Sequence, residues 1–167
     1  MTDKSRVNGP YLIDHFRSPI CNRLLDYWRS KASGAAPPAW TDIDLVELSD
    51  IARFIAVCDP VDGGRDFVAR FFGTGIVDIF GFDRTGKTVT EGFAPERVEM
   101  VVERHRLPLT TGRPACVVGY LTAVGKDYPF AFEACYLPLL GKSGDVAHVI
   151  SAYDFDYEPE ESDAIAY

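Results

Sequence analysis

One segment, RFIAVCDPVDGGRDFVARFFGTGIVDIFG over Arg53–Gly81, constrains the fold more than any other. Two apolar runs, FIAVC and FVARFF, flank a D-G-G turn. Gly63 and Gly64 are free to take the positive φ that a twisted two-strand turn demands, so the segment predicts a β-hairpin over 53–72. A Gly-Thr-Gly step then leads into IVDIFG, where Ile76, Ile79 and Phe80 fall at i, i+3, i+4 on one face of a short helix. Strict alternation along FVARFFGT puts Phe67, Ala69, Phe71 and Gly73 on one side of the second strand and Val68, Arg70 and Phe72 on the other.

The flanking sequence completes an α+β order. Residues 1–18 are polar and mixed and read as a flexible lead-in. Ser18-Pro19 then pairs an N-cap with a first-turn proline. Ile20, Leu24, Tyr27 and Trp28 share a face of the helix that follows. Gly34 ends that helix, Ala35–Pro38 is an extended connector, and helix and linker together span 19–40. Asp44 and Glu47 read as a capping box for a short helix near 45–50. A longer helix is expected from Pro95, with Val98, Val101, Val102 and His105 on one face and Pro108 ending or kinking it. Three strands should follow, over 114–124, 130–139 and 146–157, joined by short turns as an antiparallel meander. The acidic stretch 158–167 reads as a frayed tail. Two strands, a helical block and three strands imply helices over one face of an antiparallel sheet, which leaves a cup between them. The leading helix can then pack on another surface or on a second copy.

Composition removes several function classes. The 167 residues are 47% hydrophobic and 13% aromatic, which suits one packed domain. Seventeen basic against 25 acidic residues give a net charge of −8, which repels phosphate backbones and anionic membranes, so neither nucleic acid nor membrane is an expected partner. No apolar run approaches the roughly 18 residues of a membrane span, and no secretory leader is expected. Cys21, Cys58, Cys116 and Cys135 have no metal or redox spacing, and three lie in apolar runs. A reducing cytoplasm fits that usage.

In order and spacing the chain resembles a family of short, often stand-alone PAS domains common in alphaproteobacteria. The resemblance is carried by LLDYW in the first helix, DIDLVEL before the hairpin, and RDFVARFFGTGIVDIFGFDRTGK through the hairpin and helix. TGRPACVVG entering the third strand and ACYLPLLGKSGDVAHVISAYDF in the last two carry the rest, so it covers about residues 22–156. It implies a PAS-like five-stranded antiparallel sheet with helices on one face, occupying 41–157, and an N-terminal flanking helix. It also implies a sensory or regulatory role in signal transduction and a homodimer formed through that helix. Ala69 stands where the family commonly carries an aromatic residue.

Gly81–Thr88, GFDRTGKT, fits the phosphate-loop pattern, but Thr88–Pro95 makes a poor first two helical turns, so the segment reads as a surface turn with an inert Lys87. Some haem-binding PAS sensors use a histidine on the corresponding helix, which nominates His105; a buried neutral imidazole is the competing reading. The asparagine-cysteine-arginine-phenylalanine-leucine-glutamine signature of flavin photosensors is absent. The histidines lack partners at metal-ligand spacing, and no G-x-S-x-G elbow occurs. The sequence names no cofactor.

The expected ligand-binding residues are therefore Phe71 from the hairpin, Ile76, Ile79 and Phe80 from the short helix, Val102 and His105 from the long one, and Tyr120 and Tyr136 from the meander. They would hold a flat or mostly apolar molecule anchored by a phenol or the imidazole. The resulting expectation is a cytoplasmic, non-enzymatic sensor that binds a small molecule or a protein partner. Two alternatives stay open: an isomerase- or dehydratase-type cup enzyme using Glu133 or His105, and a scaffold module with a filled core.

Overall fold

The structure, a computed structural model, describes residues 7–158. Its strands are β1 (Val7–Leu12), β2 (Ile55–Val61), β3 (Asp66–Phe72), β4 (Ala115–Leu121), β5 (Phe130–Leu140) and β6 (Val146–Asp154). The helices are α1 (Pro19–Lys31), α2 (Thr74–Phe80), α3 (Val89–Gly92) and α4 (Pro95–Thr111). One sheet runs in the order β1-β4-β5-β6-β2-β3, with every neighbouring pair antiparallel. The hairpin stands where the sequence put it, with Asp62, Gly63 and Gly64 all at positive φ in its turn. At its exit, a Cβ on Gly73 would lie 2.2 Å from the Arg53 carbonyl oxygen, so only glycine lets the chain turn there into α2.

The sheet has six strands where five were expected. The extra one comes from the stretch read as a lead-in: Val7 lies opposite Gly119 and Leu12 opposite Ala115. Its Gly9-Pro10 step interrupts both the ladder and the alternation that would have marked a strand. Residues 1–6 of the lead-in and 159–167 of the acidic tail lie outside the described residues.

The helical block covers one face, as expected, and the leading helix takes the other of the two surfaces open to it. α2, α3 and α4 sit on the face that carries Ala115, Val117, Ala134, Tyr136, Val149 and Tyr153. α1 lies on the opposite face, against Cys116, Cys135, Leu137, Leu139, Ile150 and Ala152. Leu24 and Leu25 of α1 are each 1% exposed, and Trp28 donates its indole N–H to the Pro138 carbonyl at 2.8 Å. Burying each such side chain contributes about 2 kcal/mol. The apolar face expected to recruit a second copy is thus occupied by the chain's own sheet, and Asp26, Arg29 and Ser30 point outward.

The start of α1 is anchored on the sheet. Ser18 Oγ accepts from the Cys21 amide at 3.1 Å and donates to Asp154 Oδ2 at 2.6 Å. Glu133 Oε1 accepts the amides of Ser18 at 2.9 Å and Arg17 at 3.1 Å. A carboxylate at a helix N-terminus also complements the macrodipole.

Two helix expectations change. Residues 44–50 form successive tight turns, because Asp44 Oδ1 takes the Val46 amide and Glu47 turns away to the Tyr27 hydroxyl instead of closing a capping box. α4 runs through Pro108 to Thr111. The missing N–H falls in the last turns, where Gly112 adopts a left-handed φ of 67° and donates to the Pro108 carbonyl at 2.9 Å.

Candidate ligand pocket

The face under α2, α3 and α4 is not packed solid. Two small cavities open between sheet and helices, of about 50 Å³ and about 30 Å³. Phe72, Arg84, Phe93, Val101 and Tyr153 belong to the walls of both. Phe80, Leu121, Phe132, Arg97 and Arg104 also border the larger one; Cys58, Phe67 and His105 border the smaller.

The structure distributes the eight nominated residues unevenly. Phe80 borders the larger cavity and His105 the smaller. Tyr136 is fully buried on the same face, its ring centroid 5.1 Å from that of His105, but it borders neither space. Ile76 and Val102 are completely buried in this face's core. Ile79 packs against the same core and also borders a shallow surface groove of about 300 Å³ with Phe130 and Tyr128.

Phe71 and Tyr120 are on the wrong side. β3 bulges at Arg70: Val57 pairs with Phe71 while the next residue, Cys58, pairs with Ala69. The extra residue reverses the alternation, so Phe72 joins Phe67 and Ala69 on the pocket face while Phe71 packs against the α1 core. Tyr120 lies one position out of phase with Val117 and Leu121, which belong to the pocket-side core.

Three arginines stand on the cavity wall: Arg97, which is exposed, and the more deeply set Arg84 and Arg104. Arg84, in the turn after α2, is boxed by aromatic rings: its guanidinium carbon is 3.8 Å from the Phe93 centroid and 5.0 Å from that of Phe80. Cation–π attraction of this kind contributes on the order of 1–2 kcal/mol when desolvated. Its Nε donates to the Gly92 carbonyl at 3.1 Å, while Nη1 is buried without a hydrogen-bond partner. Burial lowers the Arg84 pKa, opposed by the Tyr153 phenol; a guanidinium nonetheless stays charged. Arg104 of α4 is 8% exposed, and its Nε also lacks a partner. One cue was available: Arg104 follows Met100 by four residues and Val101 by three, so it sits on the apolar stripe of α4. Nothing comparable marked Arg84.

The remaining polar groups are quiet. Tyr136 and Tyr153 share a hydroxyl–hydroxyl hydrogen bond of 2.8 Å. Burial raises both phenols, and the Arg104 charge pulls each part of the way back. His105 donates its Nδ1–H to the Val101 carbonyl at 2.9 Å and packs its ring 5.1 Å from Phe67, and burial pushes its pKa down to about 4. That is a neutral core imidazole at physiological pH. The space beside it, about 30 Å³, holds a water or two and does not fit a haem macrocycle. Cys58 on the same wall is a thiol pushed up to about 12 by burial. Glu133, whose pKa burial raises, lies on the α1 face, so it and His105 stand on opposite sides of the sheet.

The phosphate-loop pattern takes a different form. It follows a helix, not a strand, and its amides are engaged with the β3 edge: Gly86 donates to the Ala69 carbonyl at 2.8 Å, and Ala69 donates to the Lys87 carbonyl at 3.0 Å. α3, after it, is four residues long.

No curated protein matches this chain. Among solved structures, a fungal LOV domain photoreceptor is similar at 12% identity and TM-score 0.44, over 70% of this chain and 94% of its own. The blue-light photoreceptor Aureochrome1 LOV aligns at 15% identity and TM-score 0.44, over 72% and 86%. A sensory box histidine kinase/response regulator from Burkholderia thailandensis E264 aligns at 12% identity and TM-score 0.40, over 68% and 86%. Likeness this faint transfers no ligand chemistry. Among the described residues no helix is long and apolar enough to cross a membrane. The model of the PAS domain family matches residues 16–153, which takes in α1 and every element through β6 except its last residue. This α+β chain belongs to the PAS domain family.

Proposed function

We propose that the chain is a non-enzymatic sensory domain that binds a small molecule between the sheet and α4 and passes its occupancy to a signalling protein by repositioning α4. The observation that carries this reading is the placement of the two cavities. They lie under the helices, where the interior is otherwise close-packed, and both touch Val101 of α4 and Phe93 at its entry. α4 is also tied outward: Arg106 donates to the Gly64 carbonyl in the hairpin turn at 3.1 Å. A displacement of α4 therefore reaches the domain surface.

The enzyme alternative lacks a constellation. Its two candidate groups, Glu133 and His105, face opposite sides of the sheet, and the histidine lies on a wall of aromatic rings. The four cysteines are buried and none is in a disulfide among the described residues, which supports a reducing compartment such as the cytoplasm. Pairing of two copies through α1 has no apolar face left to drive it.

Native mass spectrometry and an absorption spectrum of the freshly purified chain test the reading, followed by hydrogen exchange with and without the co-purifying molecule. A bound mass and slowed exchange in α3 and α4 are expected. A ligand-free protein, whose α4 amides exchange equally fast with and without a small-molecule cell extract, would sink the reading.

A further inference from the structure

Three arginines, Arg84, Arg97 and Arg104, line the larger cavity. Arg84 and Arg104 both border it, each with a buried nitrogen that finds no acceptor. Among the described residues no acidic side chain lines it, and no carboxylate pairs with the Arg84 or Arg104 guanidinium. A buried charged donor left unmade is costly, and two on one wall are more so. Water relieves this poorly. It would accept from both guanidiniums, but apart from Arg97 the remaining wall is apolar and the Tyr153 hydroxyl is already engaged with Tyr136. Phe72, Phe80, Phe93, Phe132 and Leu121 supply much of the remaining lining. Guanidinium forks match carboxylates, and aromatic walls match a flat hydrocarbon body.

Resting on the reading above that this cavity is the ligand site, we infer that its ligand is a small organic anion, a monocarboxylate with a flat apolar body, whose carboxylate is held between Arg84 and Arg104. A multiply charged, strongly hydrated ion such as phosphate gains nothing from the aromatic walls. In a space of about 50 Å³ the body is no larger than a single ring.

Calorimetric titration of the full chain with benzoate, with benzyl alcohol as its neutral counterpart, and with inorganic phosphate as competitor tests this. Benzoate should bind at least tenfold more tightly than benzyl alcohol, and equimolar phosphate should not displace it. Arg104→Met should weaken benzoate tenfold or more and leave benzyl alcohol unchanged. Equal affinity for benzoate and benzyl alcohol overturns the anion assignment while the pocket survives. Displacement by phosphate overturns the apolar body. Binding of neither ring compound overturns this inference and the pocket reading together. Should Arg104→Met not fold, the wild-type ratio of the two affinities decides the matter alone.

Discussion

The two faces of the sheet are built from the same strands and finished in opposite ways. On the α1 face every deep polar group is answered: Ser18 by Asp154 and the Cys21 amide, Glu133 by two backbone amides, Trp28 by a carbonyl. On the α4 face, residues of similar depth enclose two cavities and leave two guanidinium nitrogens unanswered. One face is a closed structural joint and the other holds unused space and unused charge. Buried side-chain donors without partners are rare in folded proteins.

The largest effect should come from breaking the closed face. Leu24→Ala removes a side chain that is 1% exposed and held between α1 and the sheet. A loss of about 3–4 kcal/mol is expected in urea denaturation, against about 1–2 kcal/mol for Val101→Ala, whose site already adjoins empty space. Similar losses for the two would show that the faces are packed alike.

Titration separates the faces next, by sign. His105 is neutral in the fold because burial pushes its pKa to about 4, below the ordinary 6.5. The unfolded chain binds the extra proton, so its contribution is present above pH 6.5 and is lost as pH falls towards 4, by about 3 kcal/mol in all. Glu133 acts oppositely. Burial raises its pKa, so the native state holds the proton more tightly and stability from this group grows as pH falls through its folded value. His105→Leu should flatten the acid loss in thermal melts between pH 6.5 and 4. A variant with the wild-type slope would show that the imidazole is not the group responsible.

A smaller effect is expected from filling the porous face. Ala134→Trp, the natural choice from strand alternation, is a poor probe: Ala134 is fully buried and borders neither cavity, so the indole would overpack the core. Val101→Leu adds one methylene to the wall shared by both cavities. Stability should hold or rise by about 0.5–1 kcal/mol while benzoate affinity drops. A loss above about 1 kcal/mol would mean that the space is already full.

Much of this architecture was legible in the sequence. Turn glycines at 63 and 64 and the apolar runs around them announced the hairpin, and alternation in ACVVGYL and FEACYLPL marked the central strands. What escaped notice depended on interruptions or on distance. Gly9-Pro10 disguised an edge strand, and one bulged residue, Arg70, reversed the side on which Phe71 and Phe72 lie. The pocket arginines were harder still. A charged residue reads as surface, and only the fold brings Arg84 from a loop and Arg104 from a helix to one wall. His105 was legible because a helical stripe carried it, whereas Tyr120 was misplaced because its aromatic character outweighed its parity.

The smallest effect belongs to Lys87, where a sequence pattern and its surroundings disagree most. A phosphate loop needs free amides ahead of a helix, yet the Gly86 amide is spent on Ala69, and the Lys87 carbonyl accepts the Ala69 amide in return. Those bonds cover part of the exposed edge of β3, which is a structural use for the segment. They are made by main-chain atoms, and the Lys87 side chain is exposed. Lys87→Ala should therefore change stability by less than about 0.5 kcal/mol and leave benzoate binding intact. Calorimetry with Mg²⁺ and ATP should give no heat with either protein. A submillimolar, Mg²⁺-dependent signal that disappears in the variant would return the segment to phosphate binding and place a second ligand site at the edge of the open face.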